Sequence, residues 1–193
     1  LPDRFFEPPE VVPARGERRF RVGILSGCVM PLVFAETNWA TVRVLAENGC
    51  EVVIPRAQGC CGALNVHNGE RDVARQMARR NILAFEGAGV DYVVVNSAGC
   101  GTAMKEYGEL FSEVDGGWRE RAEAFAAKVF DITEFLVKFG FRRPMVPLSG
   151  RVTYQDPCHL AHAQRIRSEP RQIIRSIPGV EFIEMRGADI CCG

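Results

Sequence analysis

The sequence has no surplus charge of either sign: 24 Lys and Arg stand against 24 Asp and Glu, with three His. Without a basic excess or a run of Lys or Arg it lacks the electrostatic footprint for gripping a phosphate backbone, so nucleic acid is not expected as a partner. No stretch approaches the roughly 18 uninterrupted apolar residues of a membrane span, and the opening Leu-Pro-Asp-Arg-Phe-Phe lacks the basic-then-apolar order of a signal peptide. A soluble, cytoplasmic protein is expected. No Gly-x-Gly-x-x-Gly follows a predicted strand, so the chain shows no flavin or nicotinamide fingerprint. What it does have is 47% hydrophobic residues in a length of 193, and eight cysteines. A core of that size needs no staples, and a reducing compartment disfavours disulfides, so the cysteines point to metal or redox chemistry.

Short strand patterns alternate with longer helical ones. Residues 1–19, with Pro2, Pro8, Pro9 and Pro13, read as a linker. Strands are expected over Arg21–Ser26, Glu51–Ile54 and Asp91–Asn96, and helices over Thr37–Asn48 and Glu70–Glu86, the latter with Val73, Met77, Ile82 and Phe85 on one face. Thr102–Gly140 is helical by pattern, with Asp131 as an N-cap for Ile132–Phe139. A Pro-rich connector, 142–150, separates a first domain over 20–141 from a second over 151–193. There the pattern restarts: strand Arg151–Gln155, helix to about Ile177, strand Val180–Glu184. Alternation of this kind implies βαβ units, an α/β fold and a parallel sheet.

The cysteines repeat with the strands. Cys28 follows the first strand and is separated by 31 residues from Cys60-Cys61-Gly62; Cys158 follows a later strand and is separated by 32 from Cys191-Cys192-Gly193. Cys100 follows the Asp91–Asn96 strand within Ser97-Ala98-Gly99-Cys100-Gly101. In an open parallel sheet, loops beyond the carboxyl ends of the strands converge on one edge. Cys28, Cys60, Cys61 and Cys100 would therefore meet there, as a four-thiolate set suited to an iron–sulfur cluster or a tetrahedral zinc ion. Helices beginning after these loops would aim N–H groups at the anionic site.

On these residues the chain resembles the cysteine-rich CCG-domain proteins, whose pattern is a Cys, a long gap, Cys-Cys-Gly, and a final Cys-x-x-Cys. The pattern's last motif falls, 35 residues after Cys61, on Ser97-Ala98-Gly99-Cys100, so Ser97 replaces its first cysteine. Within that family the chain is most similar to the iron–sulfur subunits of glycolate oxidase (glycolate dehydrogenase). The likeness rests on Gly27-Cys28-Val29-Met30-Pro31, Thr37-Asn38, Ala40 to Leu45, Gly59 to Ala63, and Ser97 to Gly101 with Lys105-Glu106-Tyr107-Gly108. The resemblance implies two repeated CCG domains, each a small parallel sheet flanked by helices, with the second truncated. It implies a [4Fe–4S] cluster, with Cys28, Cys60, Cys61, Cys100, Cys158, Cys191 and Cys192 as metal ligands and no catalytic residue. It also implies electron relay from FAD-binding glycolate oxidase subunits towards an acceptor such as quinone, with flavin only on the partners, and a peripheral place at the inner face of the cell membrane. Such subunits carry ferredoxin-type motifs, and no Cys-x-x-Cys-x-x-Cys run is present, so the chain reads as a fragment.

The CCG-type subunit of heterodisulfide reductase, a relative with complete motifs, uses five cysteines per domain for a non-cubane cluster. The Ser97 departure therefore favours relay over disulfide reduction. The alternatives are a lactate-utilisation or heterodisulfide-reductase-B-like protein, and a cluster-free or zinc-binding interaction scaffold. Cys50, between a helix-ending Gly49 and a strand, reads as a small buried hydrophobe on the far side from the site. His67, His159 and His162 read as ordinary helix histidines, and a Cys158–His159 nucleophile is disfavoured because sequence neighbours rarely face each other. Arg71, Arg75, Arg79 and Arg80 read as a solvated helix face.

Overall fold

The computed structural model describes residues 5–111 and 116–190. By contacts it divides into two compact units, at Phe130 and Asp131. The first comprises β1 (Val11–Val12), β2 (Phe20–Ile24), α1 (Met30–Val33), α2 (Ala35–Glu47), β3 (Cys50–Val53), α3 (Ala63–His67), α4 (Arg71–Gly87), β4 (Tyr92–Val95), α5 (Ala98–Lys105), α6 (Tyr107–Leu110) and α7 (Trp118–Ala126), and closes with β5 (Val129–Asp131) at the boundary. Its sheet runs β1-β3-β2-β4-β5. β2 pairs in parallel with β3 on one side (Val22 opposite Val52) and with β4 on the other (Gly23 opposite Val93). The strand order thus reverses at β2, which makes the carboxyl end of β2 the switch point where ligands gather in open α/β sheets.

Two segments differ from expectation. In the Pro-rich stretch before residue 20, Val11 and Val12 pair antiparallel with β3 as an edge strand, where prolines nearby cost no ladder bonds. Thr102–Gly140 is not helical throughout: β5 interrupts it, joined to β4 by Val93 N–H donating to the Lys128 carbonyl at 2.8 Å. A strand of three residues is too short to leave a period of two in the sequence.

The core lies between α4 and the sheet and is closed by α5, α6 and α7. Ala74, Ala78, Ile82 and Phe85 of α4 are buried with Val93, Val95, Met104, Tyr107, Phe111 and Phe125. Each large apolar side chain withdrawn from water contributes roughly 1.5–3 kcal/mol. The buried stripe is one residue out from the expected one: Ala74 is fully buried while Val73 is 37% exposed. Alanines face the sheet because they let helix and loop approach closely; a Cβ on Gly62 would sit 3.4 Å from the Ala74 Cα.

The second unit holds α8 (Ile132–Phe139), β6 (Gly150–Val152), a π-helical turn (His159–Ala163), α9 (Ser168–Arg175) and β7 (Val180–Phe182). β6 and β7 form a two-stranded parallel sheet, with Arg151 opposite Glu181. α8 packs on α9. Asp131 caps α8 in a reciprocal box: its carboxylate accepts from Thr133 N–H at 2.8 Å, and Glu134 accepts from Asp131 N–H at 3.2 Å. The helical stretch before Ile177 is broken between the π-helical turn and α9, where Arg165 takes a left-handed φ of 58°.

Candidate metal centre

Cys28, Cys60, Cys61 and Cys100 all lie beyond the carboxyl ends of β2, β3 and β4, at the switch point. Gly27 and Gly62 make the turns there, with φ of 76° and 83°, values that a side chain would strain. The four sulfurs come within reach of one another: the Cys28 and Cys60 thiols hydrogen-bond, the Cys61 thiol donates to Cys100, and Cys61 also feels charge on Cys60. That donation sets the order of ionisation. Holding the shared proton, together with burial, pushes Cys61 well above the ordinary thiol range; accepting it draws Cys100 below that range, assisted by the Ser97 hydroxyl and opposed by burial.

Backbone amides point at the sulfurs. Gly62 N–H donates to the Cys60 sulfur at 3.4 Å, Ala63 N–H to Cys61 and Val29 N–H to Cys28. Helices α1, α3 and α5 begin at these loops, and Cys100 lies in the first turn of α5. Donors and helix ends of this kind stabilise negative charge on sulfur. Among the described residues, no group of three His, Cys, Asp or Glu side chains closes on a single ion-sized point.

A set of uncharged polar residues holds the loops in place, and sequence reasoning did not single them out as site residues. The Gln58 side chain spans two loops: its oxygen accepts from Ser26 N–H at 2.8 Å and its amide donates to the Ile24 carbonyl at 3.1 Å. Asn38 donates to the Ser26 carbonyl at 3.1 Å and accepts from Asn96 at 2.9 Å, and Asn96 also donates to Thr41. Asn81, fully buried on α4, accepts from Gly59 N–H at 2.8 Å and donates to the Cys60 carbonyl at 2.9 Å and the Tyr107 hydroxyl at 3.2 Å. The Tyr107 hydroxyl donates to the Cys61 carbonyl at 2.9 Å. Burial holds that phenol neutral, above its ordinary range. The signal in the sequence was a polar side chain on an apolar helix face, since Asn81 falls in register with Ala74, Ala78 and Phe85.

Cys50 lies at the opposite, amino end of β3 and is buried. In the second unit Cys158 follows β6 and approaches the His159 Nδ1 at 3.5 Å, so these sequence neighbours do face each other at the π-helical turn. Arg167 donates to the His162 Nδ1 at 3.2 Å, which leaves the His162 Nε2 to donate to the Asp189 carbonyl at 3.0 Å. His162 is thereby tied to its own loop. Cys191, Cys192 and Gly193 lie outside the described residues.

A family model for the CCG cysteine-rich domain matches residues 22–105 and 152–193. The chain belongs to the CCG cysteine-rich domain family. Its CCG relatives include a probable glycolate oxidase iron-sulfur subunit of Bacillus subtilis (strain 168), 44% identical over 187 residues, covering 96% of this chain and 42% of the relative. One of the subunits of the fumarate reductase (CoM/CoB) of Methanothermobacter marburgensis is 38% identical over 90% of this chain and 32% of the relative. Lactate utilization protein A of Geobacillus sp. (strain WCH70) is 32% identical over 90% of this chain and 72% of the relative. The chain thus spans less than half the length of the first two. No helix among the described residues is long and apolar enough to cross a membrane.

Proposed function

We propose that this CCG chain is the electron-carrying part of an oxidoreductase complex, with Cys28, Cys60, Cys61 and Cys100 holding a [4Fe–4S] cluster and substrate oxidation taking place on a partner. The observation that carries this reading is the gathering of four thiols from three strand ends, with backbone amides directed at their sulfurs. That donor set fits the group: Cys₄ ligation is the usual hold on a [4Fe–4S] cluster, and N–H···S bonds favour the anionic thiolates it requires. Such a cluster supplies reversible one-electron uptake. The chain's own residues orient the ligands through Gln58, Asn81 and Tyr107 and keep water from the Cys61 side, which is buried.

In the second unit Cys158, with Cys191 and Cys192, forms the matching half of the repeat over 151–193 and a second candidate ligand set. We assign the complex to glycolate oxidation. FAD-binding subunits are its electron source and quinone is its acceptor, and the complex lies in the cytoplasm, peripheral to the inner face of the membrane. The 44% identity to the Bacillus subtilis glycolate oxidase protein supports that assignment. A second reading, lactate utilisation, is favoured by one observation: the chain covers 72% of a lactate utilization protein A.

Iron and acid-labile sulfide analysis of anaerobically prepared protein tests the first claim. Brown protein, absorbing broadly near about 400 nm and bleached by dithionite, is expected; colourless protein with stoichiometric zinc would sink the reading. Turnover of the purified complex on glycolate against lactate separates the two substrates.

A further inference from the structure

Ser97 leads from β4 into α5 with extended backbone (φ −128°, ψ 116°), the conformation of a helix N-cap, yet its hydroxyl caps no amide of the helix. A serine in that place ordinarily accepts from the amide two or three residues on. Here the hydroxyl bonds instead to the Cys100 sulfur. The turn itself is closed by main chain, with Gly101 N–H donating to the Ser97 carbonyl at 2.9 Å. The hydroxyl is therefore not needed to close the turn and is engaged with the sulfur. Amides from Val29, Gly62 and Ala63 serve the other sulfurs and belong to the backbone; the Ser97 donor is a side chain and can be removed.

Resting on the reading of these cysteines as cluster ligands, we propose that Ser97 is a positioning residue that sets the redox level of the site: its hydroxyl donates to the Cys100 sulfur and raises the reduction potential of the cluster held there. The reasoning is electrostatic. A donor on a ligating sulfur withdraws electron density from it, and the reduced site, which carries one more negative charge, gains more from that donor than the oxidised site does. In the titration that reads this, one electron passes from dithionite to the cluster and no bond in the protein is made or broken.

The test compares midpoint potentials and resonance Raman spectra of unaltered protein, Ser97→Ala and Ser97→Thr, all prepared anaerobically with their clusters. The signal of this site is identified by its loss when Cys60 and Cys61 are both changed to Ser. In Ser97→Ala the one-electron equilibrium is expected to shift about tenfold towards the oxidised form, or about 59 mV more negative. Iron–thiolate stretching frequencies are expected to rise and iron content to stay the same. Ser97→Thr, which keeps a hydroxyl, restores the potential. An unchanged potential in Ser97→Ala overturns the proposal, as does a Ser97→Thr protein that behaves like Ser97→Ala. Loss of iron from Ser97→Ala overturns it too, since the residue would then hold the cluster in place rather than set its potential. Unaltered protein without iron and sulfide would instead sink the cluster reading, before any variant is compared.

Discussion

The two units each place a cysteine just beyond a strand, but they fix it by different means. In the first, five strands and a buried apolar core carry three strand ends to one edge, and the loops there are pinned by neutral side chains, Gln58, Asn81 and Tyr107. In the second, a two-stranded sheet supports one described cysteine, and the loop before it is held by charge. Asp156, 3% exposed, takes both arms of the Arg171 guanidinium at 2.7 and 2.8 Å, and Arg171 also donates to Glu184 and lies 5.5 Å from the Tyr154 ring. These carboxylates raise the Arg171 pKa further. A large core can accommodate buried neutral hydrogen bonds because packing supplies the stability; a small one relies on a bidentate ion pair whose members depend on each other.

The largest effect that would sharpen the contrast is on metal content. Changing Cys60 and Cys61 to Ser should remove the first unit's iron and sulfide while leaving whatever the second unit binds; elemental analysis that finds iron unaltered would break the assignment. Next is Arg171→Met, which strands the buried Asp156 carboxylate and should cost the second unit about 3–5 kcal/mol. In urea unfolding it should lower an early transition and leave the first unit's midpoint in place; a single shifted transition would show that the units do not differ in this way. Asn81→Ala strands the Gly59 amide and the Cys60 carbonyl, at about 1–3 kcal/mol for each buried group, and should lower the first unit's midpoint. Tyr107→Phe, which frees only the Cys61 carbonyl, should cost about 1–2 kcal/mol in the same experiment.

The smallest effect concerns alkaline pH. Burial, partly offset by Arg19, raises the Cys50 thiol from an ordinary 9.0 to about 11. Between those values only the unfolded chain releases the proton, so the contribution to stability is intact below pH 9.0 and is lost as pH rises through about 11. Cys50→Ala should therefore show a shallower fall in unfolding midpoint between about pH 8 and about pH 11 than unaltered protein. Parallel slopes would place that sensitivity elsewhere.

Much of the site was legible in the chain itself. Strand-terminal cysteines at matched spacing indicated the edge where Cys28, Cys60, Cys61 and Cys100 meet, because parallel strands joined by helices all end on one side. The α8 cap was equally plain, since Asp131 and Glu134 stand at the spacing of a capping box. Less was visible where local pattern is weak. β5 is three residues long, the buried stripe of α4 rests on alanines that carry little hydrophobic signal, and the facing of Cys158 and His159 depends on a π-helical turn.

Chain direction and spacing alone were enough to set the alternation of strands and helices, the repeat, and which cysteines share an edge. Folding in three dimensions settled the rest: which neutral side chains hold the cysteine loops, that Ser97 turns its hydroxyl to Cys100, and that Cys61 keeps the proton Cys100 gives up. Those depend on contacts between residues far apart in the chain, as Gln58 with Ile24 and Tyr107 with Cys61, and on burial that no single segment carries.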